Sequence, residues 1–355
     1  MPKKLKNLIK TVLRLVIGSA VAYYLIQMML DKNEVDLAKE LSTSVPWWIA
    51  LAAVVYGVAL VISALRWRGL LLVQGVVLSR WMAIRLMMIG VFFSLIIPGA
   101  VGGDVIKMVY VAKQTDEHKA EAVLTIFLDR IFGLLGLCVV AAVAILSSMD
   151  LVMAASRNLQ IIIISVAGIS VCGMLGVFVS AFHHQLMRLP GVRHLVAWGN
   201  EKLPEKLTGM VARLVRAIDM YRDHRMVLVK TLVLALGVHI SITIAVICLA
   251  NAFHQPDIAA RHHLLATQAA NTVGAVPLTP GGFGARDLAL SGFLEQAGAA
   301  KEKAGIIAPM LTMIIILWSL IGGIFFLFAP VQKDTIDDID PEAMLEEAEH
   351  DLAST

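Results

Sequence analysis

The sequence predicts an all-α polytopic membrane protein, with six full transmembrane helices and two re-entrant hairpins arranged as an inverted 3+3 repeat. Three observations predict this class. The 355-residue chain is 58% hydrophobic and 16% charged, with a mean hydropathy of +0.79, whereas soluble domains carry about 25% charged residues. Six apolar runs are long enough for a bilayer core, which needs about 20 helical residues. Two Gly/Pro clusters, one from Pro98 to Asp104 and one from Pro277 to Asp287, occupy corresponding places in the two halves. Interrupted segments at matching positions of two halves point to a transporter's binding site.

The six runs cover residues 9–30, 46–65, 131–149, 159–182, 231–253 and 305–329. The first follows Met1-Pro2-Lys3-Lys4-Leu5-Lys6. It is long and lacks a small-x-small cleavage site, so it reads as an uncleaved span rather than a signal peptide. Two shorter apolar stretches remain. Residues 86–97 are uncharged and end at Pro98, and residues 264–279 carry Gln268, Asn271 and Thr272. Lengths of about 10–14 residues suggest re-entrant segments. As such, each would lie between the second and third spans of its half. Three spans per half is an odd number, so the second half is inverted relative to the first. Two thin full spans, giving eight crossings, are the alternative. Irregular backbone at membrane depth survives only where protein or water surrounds it, which favours the re-entrant reading.

Residues 1–330 form the membrane domain, in halves of about 8–150 and 159–330, and residues 331–355 form an acidic tail. Lys and Arg counts in loops set orientation. With the amino terminus inside, only Lys32, Lys39, Arg157, Arg261, Arg286, Lys301 and Lys303 of the 30 basic residues fall outside. Both termini are therefore expected to be cytoplasmic, in a bacterial-type inner membrane. Residues 183–226 hold eight basic residues against four acids. Val211, Leu214, Val215, Ile218 and Tyr221 recur there at helical spacing, as in an amphipathic helix on anionic inner-leaflet lipid. The tail from residue 333 carries nine acids and one Lys, and reads as a solvated extension.

In the first cluster, Gly102 and Gly103 let a backbone approach a ligand closely, and exposed amides at a helix start favour anions. Asp104 reads as the helix N-cap, or as the carrier of a coupling proton or cation. Lys107 follows one turn on, as a point charge for phosphate. A tight turn with a capped helix is the structural alternative. In the second cluster, Gly281, Gly282 and Gly284 precede Arg286, whose guanidinium can grip phosphate bidentately. Asp287 beside it makes an internal ion pair the alternative.

Asp129 and Arg130 form the third feature. Adjacent residues on a helix point about 100° apart, so the two cannot simply satisfy each other. A helix entering the membrane near Glu121 would carry Arg130 about 14 Å deep, where charges are costly and usually functional. A span limited to residues 131–149 would instead leave it snorkelling at the surface. His239, near the middle of its span, reads as a proton relay or as a neutral histidine bonded to a neighbouring helix. Arg85 is placed to meet Asp129 or Asp104.

Cys138, Cys172 and Cys248 fall within apolar spans and form no CxxC pair, so no cysteine chemistry is indicated. The sequence has no HExxH, GxSxG or Walker A motif and no repeated Asp constellation. A translocator is therefore expected rather than an enzyme, with no cofactor, no metal and no nucleic-acid partner. The alternatives are a membrane-embedded enzyme acting on a lipid phosphate, and an accessory or regulatory membrane protein. An oligomer is compatible with each.

These residues resemble the flippase-like membrane family that includes the transmembrane region of lysylphosphatidylglycerol synthase, the MprF flippase domain. The resemblance covers roughly residues 8–330. It rests on Pro98-Gly99 with Gly102-Gly103-Asp104 and Lys107, on Asp129-Arg130 with Gly133, and on Pro277 with Gly281-Gly282-Phe283-Gly284-Ala285-Arg286-Asp287. The family more often has Glu at the positions of Asp129 and Asp287, and Arg at that of Lys107. The resemblance implies bilayer transfer of a lipid with a charged or phosphorylated head group, with membrane lipids as partners. It also implies functional roles for Asp104 and Arg130. The soluble aminoacyl-transferase module of the complete synthase is not among these residues, so lipid aminoacylation is not expected of them.

Overall fold

The computed structural model describes residues 24, 36–96, 102–112, 119–181, 221, 224–275 and 284–328. The described residues form eleven helices and no strands. In chain order these are α1 (Leu37–Thr43), α2 (Pro46–Val73), α3 (Arg80–Ile96), α4 (Gly102–Ala112), α5 (Lys119–Ser147) and α6 (Met149–Ala154). They continue with α7 (Arg157–Ala181), α8 (Arg225–Ala252), α9 (Ala260–Ala275), α10 (Ala285–Gln296) and α11 (Lys301–Leu327).

Five helices, α2, α5, α7, α8 and α11, contain segments long and apolar enough to cross a membrane. They coincide with five of the six predicted spans. The remaining span, residues 9–30, lies outside the described residues apart from Tyr24, as do residues 182–220 and the tail. Two of the helices outrun their apolar cores. Helix α2 continues through Arg66 and Arg68 to Val73, and α5 begins at Lys119 rather than near residue 131. A charge does not end a helix, because its hydrogen bonds run through the backbone; Gln74 and Gly75 (φ 75°) end α2. Arg66, Asp129 and Arg130 are consequently interior to long helices.

The segments around the Gly/Pro clusters form two pairs of short helices, α3 with α4 and α9 with α10. The second member of each pair has 11 or 12 residues, about 16–18 Å of helix against a core of about 30 Å. Helix α2 packs along α8. Helix α3 packs on α11, and α9 packs on α5. The short helices α4 and α10 lie against α5 and α11 respectively.

Small residues allow these approaches. Ala52, Ala245, Ala266, Ala269, Ala304 and Ala308 are buried in the largest apolar cluster. Membrane helices associate largely by such close van der Waals packing, since lipid is as apolar as leucine. One close crossing is between α3 and α4. A Cβ at Gly103 would fall on the Gly90 carbonyl and the Ser94 hydroxyl, and one at Gly90 would lie 3.2 Å from the Gly103 carbonyl. Gly103 is therefore required by the helix pair itself, whatever else binds there.

Candidate functional site

Three charge clusters lie between the helices, and each contains residues singled out in the sequence. In the first, Asp104 in the first turn of α4 is 3% exposed and holds two cations. Its Oδ1 lies 2.6 Å from Lys107 Nζ, and its Oδ2 accepts from Arg130 Nε on α5. Asp104 is not the N-cap expected of it: α4 starts at Gly102, and the carboxylate is committed to the two side chains. Lys107 is buried, with Nζ 5.4 Å from the centroid of the Trp67 ring on α2, and Trp67 Nε1 donates to Thr125 Oγ1 at 3.3 Å. The Arg130 side chain is 51% exposed. Two cations on one carboxylate leave this cluster one net positive charge, presented by Arg130.

The second cluster is a buried bidentate pair. Arg66 Nε and Nη2 donate to Asp129 Oδ1 and Oδ2 at 2.8 and 3.1 Å. Asp129 and Arg130 thus turn to different neighbours, as the 100° step between adjacent helical residues requires. Gly133, one turn on, carries only hydrogen where a Cβ would sit 3.4 Å from the Arg66 guanidinium. Arg66 was not among the residues picked out in the sequence, because counting an apolar run up to its first charge hides a charge that lies within the helix. The signal was present: nothing between residue 66 and Gln74 stops a helix. Arg85 meets neither acid. It donates to the Phe325 carbonyl at 3.5 Å, since α3 packs on α11.

The third cluster caps α10. Gly284, in the left-handed region at φ 81°, precedes the helix, and its N–H donates to Asp287 Oδ2 at 3.2 Å. Arg286 Nη2 bonds Asp287 Oδ1 at 2.8 Å and also donates to Thr312 on α11, which donates in turn to Asp287 at 2.8 Å. Asp287 is fully buried and Arg286 is 7% exposed. The internal ion pair considered for these neighbours is therefore formed, with Thr312 as an added partner. Gly281 and Gly282 lie outside the described residues, and Gly102 is the first residue of α4.

A cavity of about 180 Å³ joins the two halves of the chain. Tyr56, Val91, Ser94 and Leu95 of the first half line it together with Arg286, Ile315 and Ser319 of the second. The end of α3, just before the first Gly/Pro cluster, therefore faces the start of α10, just after the second. Among the described residues, no three His, Cys, Asp or Glu side chains gather as a metal site requires.

The profile of the family described as the lysylphosphatidylglycerol synthase TM region matches residues 11–323, a stretch that contains all three charge clusters and both short-helix pairs. The chain belongs to that family. Membership in the lysylphosphatidylglycerol synthase transmembrane-region family makes it an integral membrane protein with a role in lipid handling. Among curated proteins, no sequence match was found.

Away from the clusters, the helix ends carry their own tethers. Asp150 on α6 accepts from Arg261 Nη2 at 2.8 Å, and His262 Nε2 lies 3.0 Å from the same carboxylate. The Arg261 hydrogen bond draws the exposed Asp150 carboxyl down to about 2, so it stays ionised at any physiological pH.

Proposed function

We propose that the chain is a lipid translocator of the bacterial inner membrane. It moves a lipid with a phosphorylated or otherwise charged head group along a polar groove, without converting it chemically. The observation that carries this reading is the net positive charge at Asp104, Lys107 and Arg130, held inside an apolar helical bundle and presented on a half-exposed guanidinium. Intramembrane charge is costly and is retained where function needs it. A planar guanidinium matches a phosphate.

The neighbours of the short helices support the finer architecture. The packing of α3 on α11 corresponds to that of α9 on α5, and α2 lies against α8. Exchanging the two halves leaves this pattern in place, as an inverted 3+3 repeat with two re-entrant hairpins would. In that arrangement the end of α3 and the start of α10 line the cavity beside Arg286, head groups pass Lys107, Arg130 and Arg286, and the acyl tails stay in lipid. Both termini face the cytoplasm, and the basic segment 183–226 rests on anionic inner-leaflet lipid.

The test is head-group transfer in proteoliposomes, with labelled phosphatidylglycerol derivatives and polyprenyl phosphate compared. Wild type is expected to move one of these lipids, and Arg130→Ala, correctly inserted, to move none. Transfer that survives in Arg130→Ala and in Arg286→Glu would sink the assignment. Folded protein that moves no lipid would transfer weight to an enzyme acting on a lipid phosphate, or to an accessory role.

A further inference from the structure

Two histidines, His263 buried and His239 half-buried, share an unusual state. His263 Nδ1 lies 3.3 Å from the Ala259 carbonyl, and His239 Nε2 lies 3.1 Å from the Gly133 carbonyl. A carbonyl only accepts, so in each neutral ring the bonded nitrogen carries the hydrogen and the opposite nitrogen is a bare lone pair. His263 Nε2 is buried with no hydrogen-bond partner among the described residues, and His239 Nδ1 is buried with only the Gln268 side chain beside the ring.

The atoms between them are in the same condition. Thr267 Oγ1, Gln268 Oε1 and Asn271 Nδ2 are buried without partners among the described residues. Residues 263, 267 and 271 recur every four positions, so they form one stripe along α9, about 12 Å long. Gln268 extends the stripe to α8: its Nε2 donates to Thr243 Oγ1 at 3.1 Å, and its amide lies beside the His239 ring. Five of the six such atoms among the described residues fall on this one line; Tyr110 Oη is the sixth. A buried polar group without a partner is costly, and ordered water normally supplies the missing bonds.

We propose that α9 lines a hydrated proton path running from His263, in its first turn, to His239 in the middle of α8. Water bridges the Thr267 hydroxyl and the Gln268 and Asn271 amides between the two rings. The path starts beside Arg261, His262 and Asp150, the first and last of which are half exposed. The charged groups at its far end are Arg66 from α2, whose guanidinium lies against Gly133 where His239 bonds the carbonyl, and Asp129 from α5, which holds Arg66. Helix α11 carries no charged residue from 304 to 327.

A proton arriving from water adds to His239 Nδ1 and makes an imidazolium, while Nε2–H stays on the Gly133 carbonyl. The new cation repels Arg66, which is held by Asp129, the residue next to Arg130. Proton arrival thereby acts on the helix that presents the exposed guanidinium. Only this last link rests on the lipid-transfer reading.

Lipid transfer is measured in proteoliposomes with and without a pH gradient, alongside thiol labelling of single-cysteine chains in which Cys138, Cys172 and Cys248 are alanine. The gradient is expected to change the wild-type rate by about fivefold or more. His239→Gln, which keeps a donor for Gly133, and Thr267→Val with Asn271→Leu are expected to lose that response and retain transfer without a gradient. Wild-type transfer that ignores the gradient, or variants that keep the response, would overturn the proposal. Thr267→Cys is expected to react with a water-borne thiol reagent far faster than the buried control Ala270→Cys, and equal rates would equally overturn it. Because labelling needs no lipid transfer, a protein that moves no lipid counts against the translocator reading while the path is still decided.

Discussion

Arg66 and Arg130 engage neighbouring acids in opposite circumstances, and the difference sets what each can do. The Arg66 pair with Asp129 is buried on both sides, at 8% and 6% side-chain exposure, whereas half of the Arg130 side chain is open. Removing one partner of a buried pair leaves an uncompensated charge and costs about 3–5 kcal/mol, while replacing both by apolar groups is often neutral. Arg66→Met and Asp129→Leu are therefore each expected to lower the unfolding temperature in detergent, and the double variant to recover most of the loss. Equal additive losses in the double variant would show that the pair is not coupled. Asp104 keeps Lys107 when Arg130 is truncated, so Arg130→Ala tests function at little structural cost. Asp104, Lys107, Arg286 and Asp287 were legible in the sequence because they follow glycines that break an apolar run, and Arg130 because it adjoins another charge at the edge of one. Arg66 was not, because the helix simply continues through it.

At the scale of helices, the glycines of the first cluster serve packing before chemistry. The Gly103 approach to Gly90 leaves no room for a Cβ, whereas a Cβ at Gly168 on α7 would meet nothing within 4 Å. Overpacking a tight contact costs about 1–3 kcal/mol, while Ala in an open helical position gains about 0.5–1 kcal/mol over Gly. Gly103→Ala is expected to lower the unfolding temperature, and Gly168→Ala to hold or raise it. Matching behaviour of the two would mean that α3 and α4 do not cross as closely as described. A helix start beside Gly102 and Gly103 was readable from the sequence, although both glycines lie in the helix rather than in a tight turn. That the space would be taken by another helix was not, because a missing side chain does not say what fills its place.

For the whole molecule, the decisive feature is a cavity shared by segments almost two hundred residues apart. The end of α3 and the start of α10 face each other across the 180 Å³ cavity, with α11 closing it through Ile315 and Ser319. If head groups pass here, the walls must move relative to one another. Val91→Cys with Ile315→Cys, joined by a short reducible cross-linker, is expected to stop lipid transfer, and reduction to restore it. Transfer that continues in fully cross-linked protein would put the path elsewhere. Alternating access by one repeat moving against the other gives this test its direction.

By itself, the sequence determined the membrane class, the helical content, five of the spans and the two short interrupted segments. Each is a local property: hydropathy, run length and helix-breaking residues act within a few turns of chain. Only the tertiary structure decided which acid meets which base, that Arg66 belongs with Asp129, that Asp104 holds two cations rather than capping α4, and that Gly103 makes room for Gly90. Those outcomes depend on which helix lies beside which, and a side chain's partner across an interface leaves no trace in its own neighbourhood of the sequence.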